Sequence, residues 1–111
     1  MITVISGTNR PGSRTRMIAN HVVASLKSAG DEEVVLLDLC DLDHGFFFPE
    51  MYDPKQTPNK FQADQEAVIL GAHKLVFVTP EYNGSFPGAL KTFIDAISVH
   101  RYPENFKQKP V

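Results

Sequence analysis

The opening of the sequence constrains the fold most, because it has the pattern strand, loop, helix, strand. A β-branched run at residues 2–6 ends at Gly7, and apolar residues then recur at helical spacing over residues 13–29. Gly30 is predicted to end this helix, and residues 34–37 form a second buried strand. A helical crossover between two such strands predicts parallel pairing with a right-handed connection. The predicted buried stripe of the helix consists of Ile18, Ala19, Val22, Val23 and Leu26.

The second half of the chain extends this α/β pattern. Residues 61–72 are predicted to be helical, and residues 75–79 form a third buried strand. A loop rich in proline and glycine follows over residues 79–91, and the last predicted helix has Pro87 in its first turn. The predicted buried face of that helix consists of Leu90, Phe93, Ile94 and Ile97.

Two segments lack a regular pattern. Residues 38–60 contain three prolines and an aromatic cluster, which is predicted either to cover the end of the sheet or to wall a cofactor pocket or a subunit contact. After Tyr102 the chain is polar and no element is predicted, until another strand is expected to begin at Pro110.

Composition excludes several classes of protein. The 111 residues predict a single domain, and the net charge of −2 favours neither a nucleic-acid surface nor an acidic electron-carrier surface. Cys40 is the only cysteine, which excludes an intrachain disulfide and fits a reducing compartment. The sequence starts directly with a strand and has no apolar run of membrane-spanning length, so a soluble cytoplasmic protein is expected.

The loop between the first strand and the first helix has the composition of a phosphate site. A helix N-terminus offers free backbone N–H groups and the positive end of the helix dipole. Hydroxyl groups and guanidinium groups could add further donors, and the loop carries them at Thr8, Arg10, Ser13, Arg14, Thr15 and Arg16. The alternative is a helix that is merely capped by Ser13 or Thr15.

Better-known nucleotide motifs are absent from this loop. Gly7 and Gly12 have P-loop spacing, but Ser13 stands where that motif needs lysine. The dinucleotide pattern of three glycines is also missing. The four histidines lack metal-ligand spacing, and no serine lies in a hydrolase elbow. The sequence therefore predicts no metal site and no catalytic triad.

The loop at residues 79–91 is predicted to contact a planar heteroaromatic ligand. Pro80 and Pro87 bracket six residues whose N–H groups have no obvious secondary-structure partner. Tyr82 could cover a ring edge, and Asn83 offers both a donor and an acceptor. The Asn83-Gly84 pair is a weak hairpin signal, and the helix that follows argues against a hairpin. The alternative is a rigid turn without a ligand.

With both loops considered, the chain resembles the NADPH-dependent FMN reductase family of flavodoxin-like proteins. Residues 7–15 are similar to that family's phosphate loop, with threonine at positions 8 and 15 as departures from the pattern G-S-x-R-x-x-S-x-N. Residues 80–91 are similar to its flavin-ring loop. The resemblance covers essentially the whole chain and implies an open parallel sheet with helices on both faces, here with about three strands.

The resemblance also implies a cofactor and site residues. FMN phosphate would be held by Thr8, Arg10, Ser13, Arg14 and Thr15, and the flavin ring would be contacted by Pro80, Glu81, Tyr82, Asn83, Gly84 and Ser85. Hydride would pass from NADPH or NADH through FMN to a quinone, azo compound, metal ion or free flavin. The flavin carries the chemistry, so no catalytic side chain is required.

Family members usually form dimers or tetramers and continue past residue 111 through two more strands and a helix. The resemblance therefore implies a homo-oligomer and a chain that lacks the C-terminal part of the domain, with the third strand as an exposed edge. Two other interpretations stay open. The protein could be a flavodoxin-type electron carrier without catalysis, or an inactive truncated fragment.

Overall fold

The computed structural model describes residues 1–111, which form one parallel three-stranded sheet with helices packed against it. The strands are β1 (Ile2–Ser6), β2 (Val34–Asp38) and β3 (Lys74–Val78). The helices are α1 (Arg14–Ala29), α2 (Lys60–Gln65), α3 (Gly88–Ile97) and α4 (Tyr102–Phe106). None of these helices is long and apolar enough to cross a membrane.

Strand β1 lies at the centre of the sheet. It pairs in parallel with β2 on one side and with β3 on the other, so the strand order is β2-β1-β3. Ser6 is aligned with Asp38 in β2 and with Val78 in β3. The carboxyl ends of all three strands therefore lie at one edge of the sheet. The prediction of three parallel strands, with the third at the edge, is confirmed.

Helices cover both faces of the sheet, because alternate residues of each strand point in opposite directions. On one face α1 packs against Ile2, Val4 and Val34 through the buried Ala19. On the other face α3 and the segment after α2 pack against Ile5 and Leu75. The buried side chains of that second cluster are Ile5, Leu39, Ile69, Ala72, Leu75, Leu90, Phe93 and Ile97.

The predicted bounds of the first helix are confirmed, but its buried residues and the conformation of its last residue differ from the prediction. It runs from Arg14 to Ala29, with Ser13 as the N-cap residue. Ile18 was predicted to be buried but is 57% exposed, because the helix turns the neighbouring Ala19, which is fully buried, towards the sheet. Gly30 does end the helix, but with an extended backbone (φ −171°) rather than in a left-handed cap.

The predicted helix over residues 61–72 forms, but its second half is π-helical and ends at Leu70. α2 ends at Gln65, and residues Glu66–Leu70 form a π-helical turn that is closed by a 3.0 Å bond from the N–H of Gly71 to the carbonyl of Glu66. The Thr3 hydroxyl donates to the Val68 carbonyl at 2.5 Å, and Lys109 Nζ donates to the Ile69 carbonyl at 2.6 Å. Tertiary donors therefore satisfy carbonyls at the end of this turn.

The segment after Tyr102 was predicted to lack an element, but it forms the short helix α4. Its anchor is Asn105, which is fully buried and donates to the Ile97 carbonyl at 2.8 Å. Gln65 Nε2 donates to Asn105 Oδ1 at 2.7 Å and to the same Ile97 carbonyl at 2.8 Å. A buried amide pair therefore joins α2, α3 and α4. No apolar stripe marks α4 in the sequence, because polar bonds hold it in place.

Other predicted bounds differ from the structure by one residue. β2 extends to Asp38, β3 spans Lys74–Val78, and Pro87 lies immediately before α3 rather than in its first turn. No fourth strand forms at Pro110, although its carbonyl accepts a 3.1 Å bond from the Leu75 N–H of β3. The predicted buried face of α3 is confirmed, with Ile94 half-buried.

The irregular segment 38–60 contains two short 3₁₀ turns, at Leu39–Asp41 and Pro49–Tyr52. Phe46 stacks on Phe61 with ring centroids 5.0 Å apart, and Phe61 meets Phe93 of the core edge-on at 6.2 Å. Phe46 therefore covers the core through Phe61, which is the covering role predicted for these aromatic residues, although at the core beside α2 and α3 rather than at the end of the sheet.

We expect Asn105→Leu to lower the free energy of unfolding by about 2–3 kcal/mol, because it removes two buried hydrogen bonds, the one that Asn105 accepts from Gln65 and the one that it donates to the Ile97 carbonyl. Urea unfolding followed by circular dichroism measures this change. Asn20→Leu, at an exposed position of α1, is the matched control and should change stability by less than about 0.5 kcal/mol. Equal effects of the two substitutions would contradict a structural role for the buried amide pair.

Candidate functional site at the carboxyl edge of the sheet

The site is built around the position where β1 ends. The N–H of Gly7 donates to the Val78 carbonyl at 2.8 Å, which extends the pairing of β1 with β3 by one residue. A side chain at Gly7 would begin 3.3 Å from Thr79 Cβ and from Leu90 Cδ2, so only glycine fits without displacing these neighbours. The loop after β1 and the loop after β3 are therefore in direct contact at their bases.

The N-terminus of α1 presents free donors at this edge. Ser13 Oγ accepts the Arg16 N–H at 3.0 Å and so caps one of the first-turn N–H groups. The N–H groups of Arg14 and Thr15 have no acceptor within the chain. They point out of the helix end together with its positive dipole, as an anion site requires.

The loop after β3 contains a tight hairpin, which the sequence interpretation rejected. Tyr82 and Ser85 exchange two backbone bonds of 2.7 and 3.1 Å around Asn83 and Gly84. Both central residues have positive φ (54° and 79°), as a type I′ turn requires. The expectation of unpartnered N–H groups is thus wrong for Tyr82 and Ser85. It is also wrong for Gly84, whose N–H donates to the Glu81 carboxylate.

Both loops line one cleft of about 550 Å³. The first loop contributes six consecutive residues, and the second loop contributes a proline and a tyrosine. The lining residues are Arg10, Pro11, Gly12, Ser13, Arg14, Thr15, Pro80 and Tyr82. The tertiary structure therefore brings six of the predicted site residues to a single opening.

The three arginines of this region are in different electrostatic environments. Arg16 donates to Asp41 at 3.1 Å and lies 3.3 Å from the buried Asp38 carboxylate. The hydrogen bond to Asp41 raises the pKa of the Arg16 guanidinium above its ordinary value. Arg10 and Arg14 form no ion pair and line the cleft. The cleft thus keeps two positive charges without counter-charges, whereas Arg16 is paired with two carboxylates and does not line the cleft.

The other predicted site residues lie beside the cleft rather than in its lining. Thr8 is fully buried behind the first loop. Glu81, Asn83, Gly84 and Ser85 form the exposed turn of the hairpin. Pro11 and Gly12 line the cleft but were not among the predicted site residues. Their position between the predicted Arg10 and Ser13 is the signal that could have included them.

A second cleft, of about 540 Å³, lies at the segment 38–60. Most of its charged residues form ion pairs, because Asp41 pairs with Arg16 and Lys60 pairs with Asp64. Phe46 and Phe61 contribute apolar walls. The first cleft therefore remains the better candidate for an anion, although the two are similar in size.

Comparison with known proteins places the chain in a family. The profile of the family described as NADPH-dependent FMN reductase matches residues 1–111. An FMN-dependent NADPH-azoreductase of Staphylococcus haemolyticus (strain JCSC1435) is 30% identical, over 97% of this chain and 55% of that protein. A protein of the same description from Staphylococcus aureus (strain USA300) is 28% identical with the same coverage. The chain spans about half the length of the curated relatives it matches.

Solved structures support the same assignment. An NADH:FMN oxidoreductase in its apo form superposes with a TM-score of 0.69 at 26% identity, over 86% of this chain and 48% of that one. FerB, a flavoenzyme NAD(P)H:acceptor oxidoreductase from Paracoccus denitrificans, gives a TM-score of 0.69 at 27% identity, over 98% and 56% of the two chains. The predicted flavodoxin-like α/β fold is confirmed. With its parallel sheet, its two loops at one edge and a profile match over its whole length, the chain belongs to the NADPH-dependent FMN reductase family.

Proposed function

We propose that this chain is the FMN-binding part of an FMN-dependent NAD(P)H oxidoreductase. The observation that carries the proposal is the convergence of two loops, far apart in sequence, on one cleft that contains two unpaired arginines. In this proposal residues 7–15 hold the FMN phosphate and residues 80–85 contact the flavin ring. The names of the related proteins support the same cofactor and a nicotinamide reductant.

The donors at the phosphate end fit a phosphate monoester. Such a group carries close to two negative charges at neutral pH and has three strong acceptor oxygens. Arg10 and Arg14 supply two matching positive charges, and the free N–H groups of Arg14 and Thr15 supply backbone donors. The dipole of the 16-residue helix α1 adds a favourable field at the same point.

The ring end of the cleft fits a flat, partly apolar ligand. Pro80 and Tyr82 form its wall, and the hairpin fixes the backbone that carries them. The N–H groups of Glu81 and Asn83 have no acceptor within the chain, so they are free to donate to a ring carbonyl or nitrogen. The preformed turn means that little backbone freedom is lost on binding.

When bound, FMN would supply the redox chemistry by accepting two electrons from NAD(P)H and delivering them to an acceptor. The task of this chain's residues is to bind and orient the cofactor, which requires no general acid or base from the cleft. The names of the curated relatives make an azo compound the first acceptor to test, ahead of quinones, metal ions and free flavin.

We also propose that the protein is cytoplasmic and assembles as a homodimer or homotetramer.

The direct test is anaerobic titration of the purified, FMN-loaded protein with NADPH. We expect the visible flavin absorbance to be bleached in proportion to added NADPH, and to return when an azo dye is added. A protein that binds FMN but is reduced by neither NADPH nor NADH would instead be an electron carrier. A protein that binds no FMN would overturn the proposal for this chain.

The phosphate end can be tested with two arginine substitutions. We expect Arg10→Ala and Arg14→Ala each to raise the FMN dissociation constant about tenfold or more, because each removes a charge-assisted bond to phosphate. Riboflavin has no phosphate, so its affinity should not change. Flavin fluorescence quenching measures both constants. Arg101→Ala is the matched control, because Arg101 pairs with Glu104 away from the cleft. Equal losses for FMN and riboflavin would contradict the assignment of the phosphate.

A further inference from the structure

One side-chain hydrogen bond joins the two loops of the cleft. Thr8 Oγ1 and Tyr82 Oη are 2.9 Å apart, although the residues are separated by 74 positions in the sequence. Thr8 is fully buried and Tyr82 is half-buried, so the bond is shielded from water on one side. A shielded bond between hydroxyl groups holds its geometry better than one that competes with solvent.

This bond is the sole hydrogen bond that links residues 80–86, the part of the flavin-ring loop before α3 (the ring loop below), to residues outside the loop and its immediate neighbour Thr79. The other hydrogen bonds of residues 80–86 stay within the loop or reach Thr79, which immediately precedes it. The hairpin is therefore rigid internally, but its position relative to the phosphate loop depends on packing and on the Tyr82 hydroxyl.

Thr8, at the other end of this link, forms a second hydrogen bond. Thr8 Oγ1 also accepts the backbone N–H of Arg10 at 3.3 Å, so a chain of two hydrogen bonds runs from Arg10 in the phosphate loop to Tyr82. A threonine hydroxyl has one proton and two lone pairs, and these two contacts use most of that capacity. Because no surface of Thr8 is exposed, its hydroxyl faces Tyr82 rather than the open cleft.

We propose that Thr8 and Tyr82 are positioning residues, whose hydroxyl pair fixes the ring loop against the phosphate loop and so sets the separation of the two subsites. This inference rests on the proposed function, because FMN is the ligand that would span both subsites. It assigns Thr8 a role through Tyr82 and Arg10 instead of the direct phosphate contact that the family resemblance implies.

The proposal predicts that ligands that span both subsites and ligands that occupy only one respond differently to loss of the hydroxyl pair. A ligand that occupies both subsites depends on their separation, whereas inorganic phosphate or lumiflavin occupies only one. Loss of the hydroxyl pair should therefore weaken FMN binding and leave the two short ligands unaffected. A threonine that contacted phosphate directly would instead affect inorganic phosphate.

The test is a double-mutant cycle with Thr8→Val and Tyr82→Phe in the purified protein. We expect Tyr82→Phe to raise the FMN dissociation constant about fivefold, the value of one ordinary hydrogen bond, and Thr8→Val to raise it at least as much, because it also removes the acceptor of the Arg10 N–H. The double variant should bind no more weakly than Thr8→Val. Thr8→Ser keeps the hydroxyl and should restore binding. Tyr102→Phe, on the exposed surface of α4, is the matched control and should have no effect.

A second cycle on urea unfolding of the ligand-free variants separates failure of this inference from failure of the proposed function. We expect Tyr82→Phe to reduce the equilibrium constant for folding about fivefold, Thr8→Val to reduce it at least as much, and the double variant to show no further loss beyond Thr8→Val. This result would stand even if the protein bound no FMN. Independent effects that multiply in the double variant, in either cycle, would overturn the positioning role. Weaker binding of inorganic phosphate by Thr8→Val would overturn it as well.

Discussion

The parallel pairing of β1 with both of its neighbours is the constraint on which the rest of the structure depends. Because β1 is central and all three strands run the same way, Ser6, Asp38 and Val78 end in register at one edge. The loop after β1 and the loop after β3 must then leave the sheet side by side. Gly7 makes the contact close, since its missing side chain lets the first loop rest on Thr79 and Leu90.

The distribution of charge follows from the same arrangement. The end of β2 brings Asp38 and the following Asp41 beside the first turn of α1, where they bind Arg16. A buried carboxylate such as Asp38 requires a counter-charge close by, and Arg16 supplies it. Arg10 and Arg14 have no such partner and stay available at the cleft. An almost neutral chain thus presents a locally positive site, which net charge alone does not reveal.

Three of the predictions that failed share a physical cause. The strands and the main helices are marked by apolar patterns, and these were predicted to within one residue at most ends. The π-helical turn, α4 and the hairpin at residues 82–85 are instead held by polar bonds. Gln65 and Asn105 are bonded across 40 positions, and no periodicity in the sequence marks such a pair. The hairpin was discounted because a helix follows it, although the Asn83-Gly84 signal was correct.

The sequence by itself determined the parallel α/β architecture, the two loops and the family, because hydrophobic periodicity and short motifs are local properties that survive without coordinates. Only the tertiary structure decided which residues of those loops face the cleft and which are bonded to other parts of the chain. Arg16 and Thr8 looked equivalent to Arg10 and Ser13 in the sequence, but Asp41 and Tyr82 engage them. Those partners come from the segments that follow β2 and β3, and distances across the sheet are set by strand pairing rather than by position along the chain.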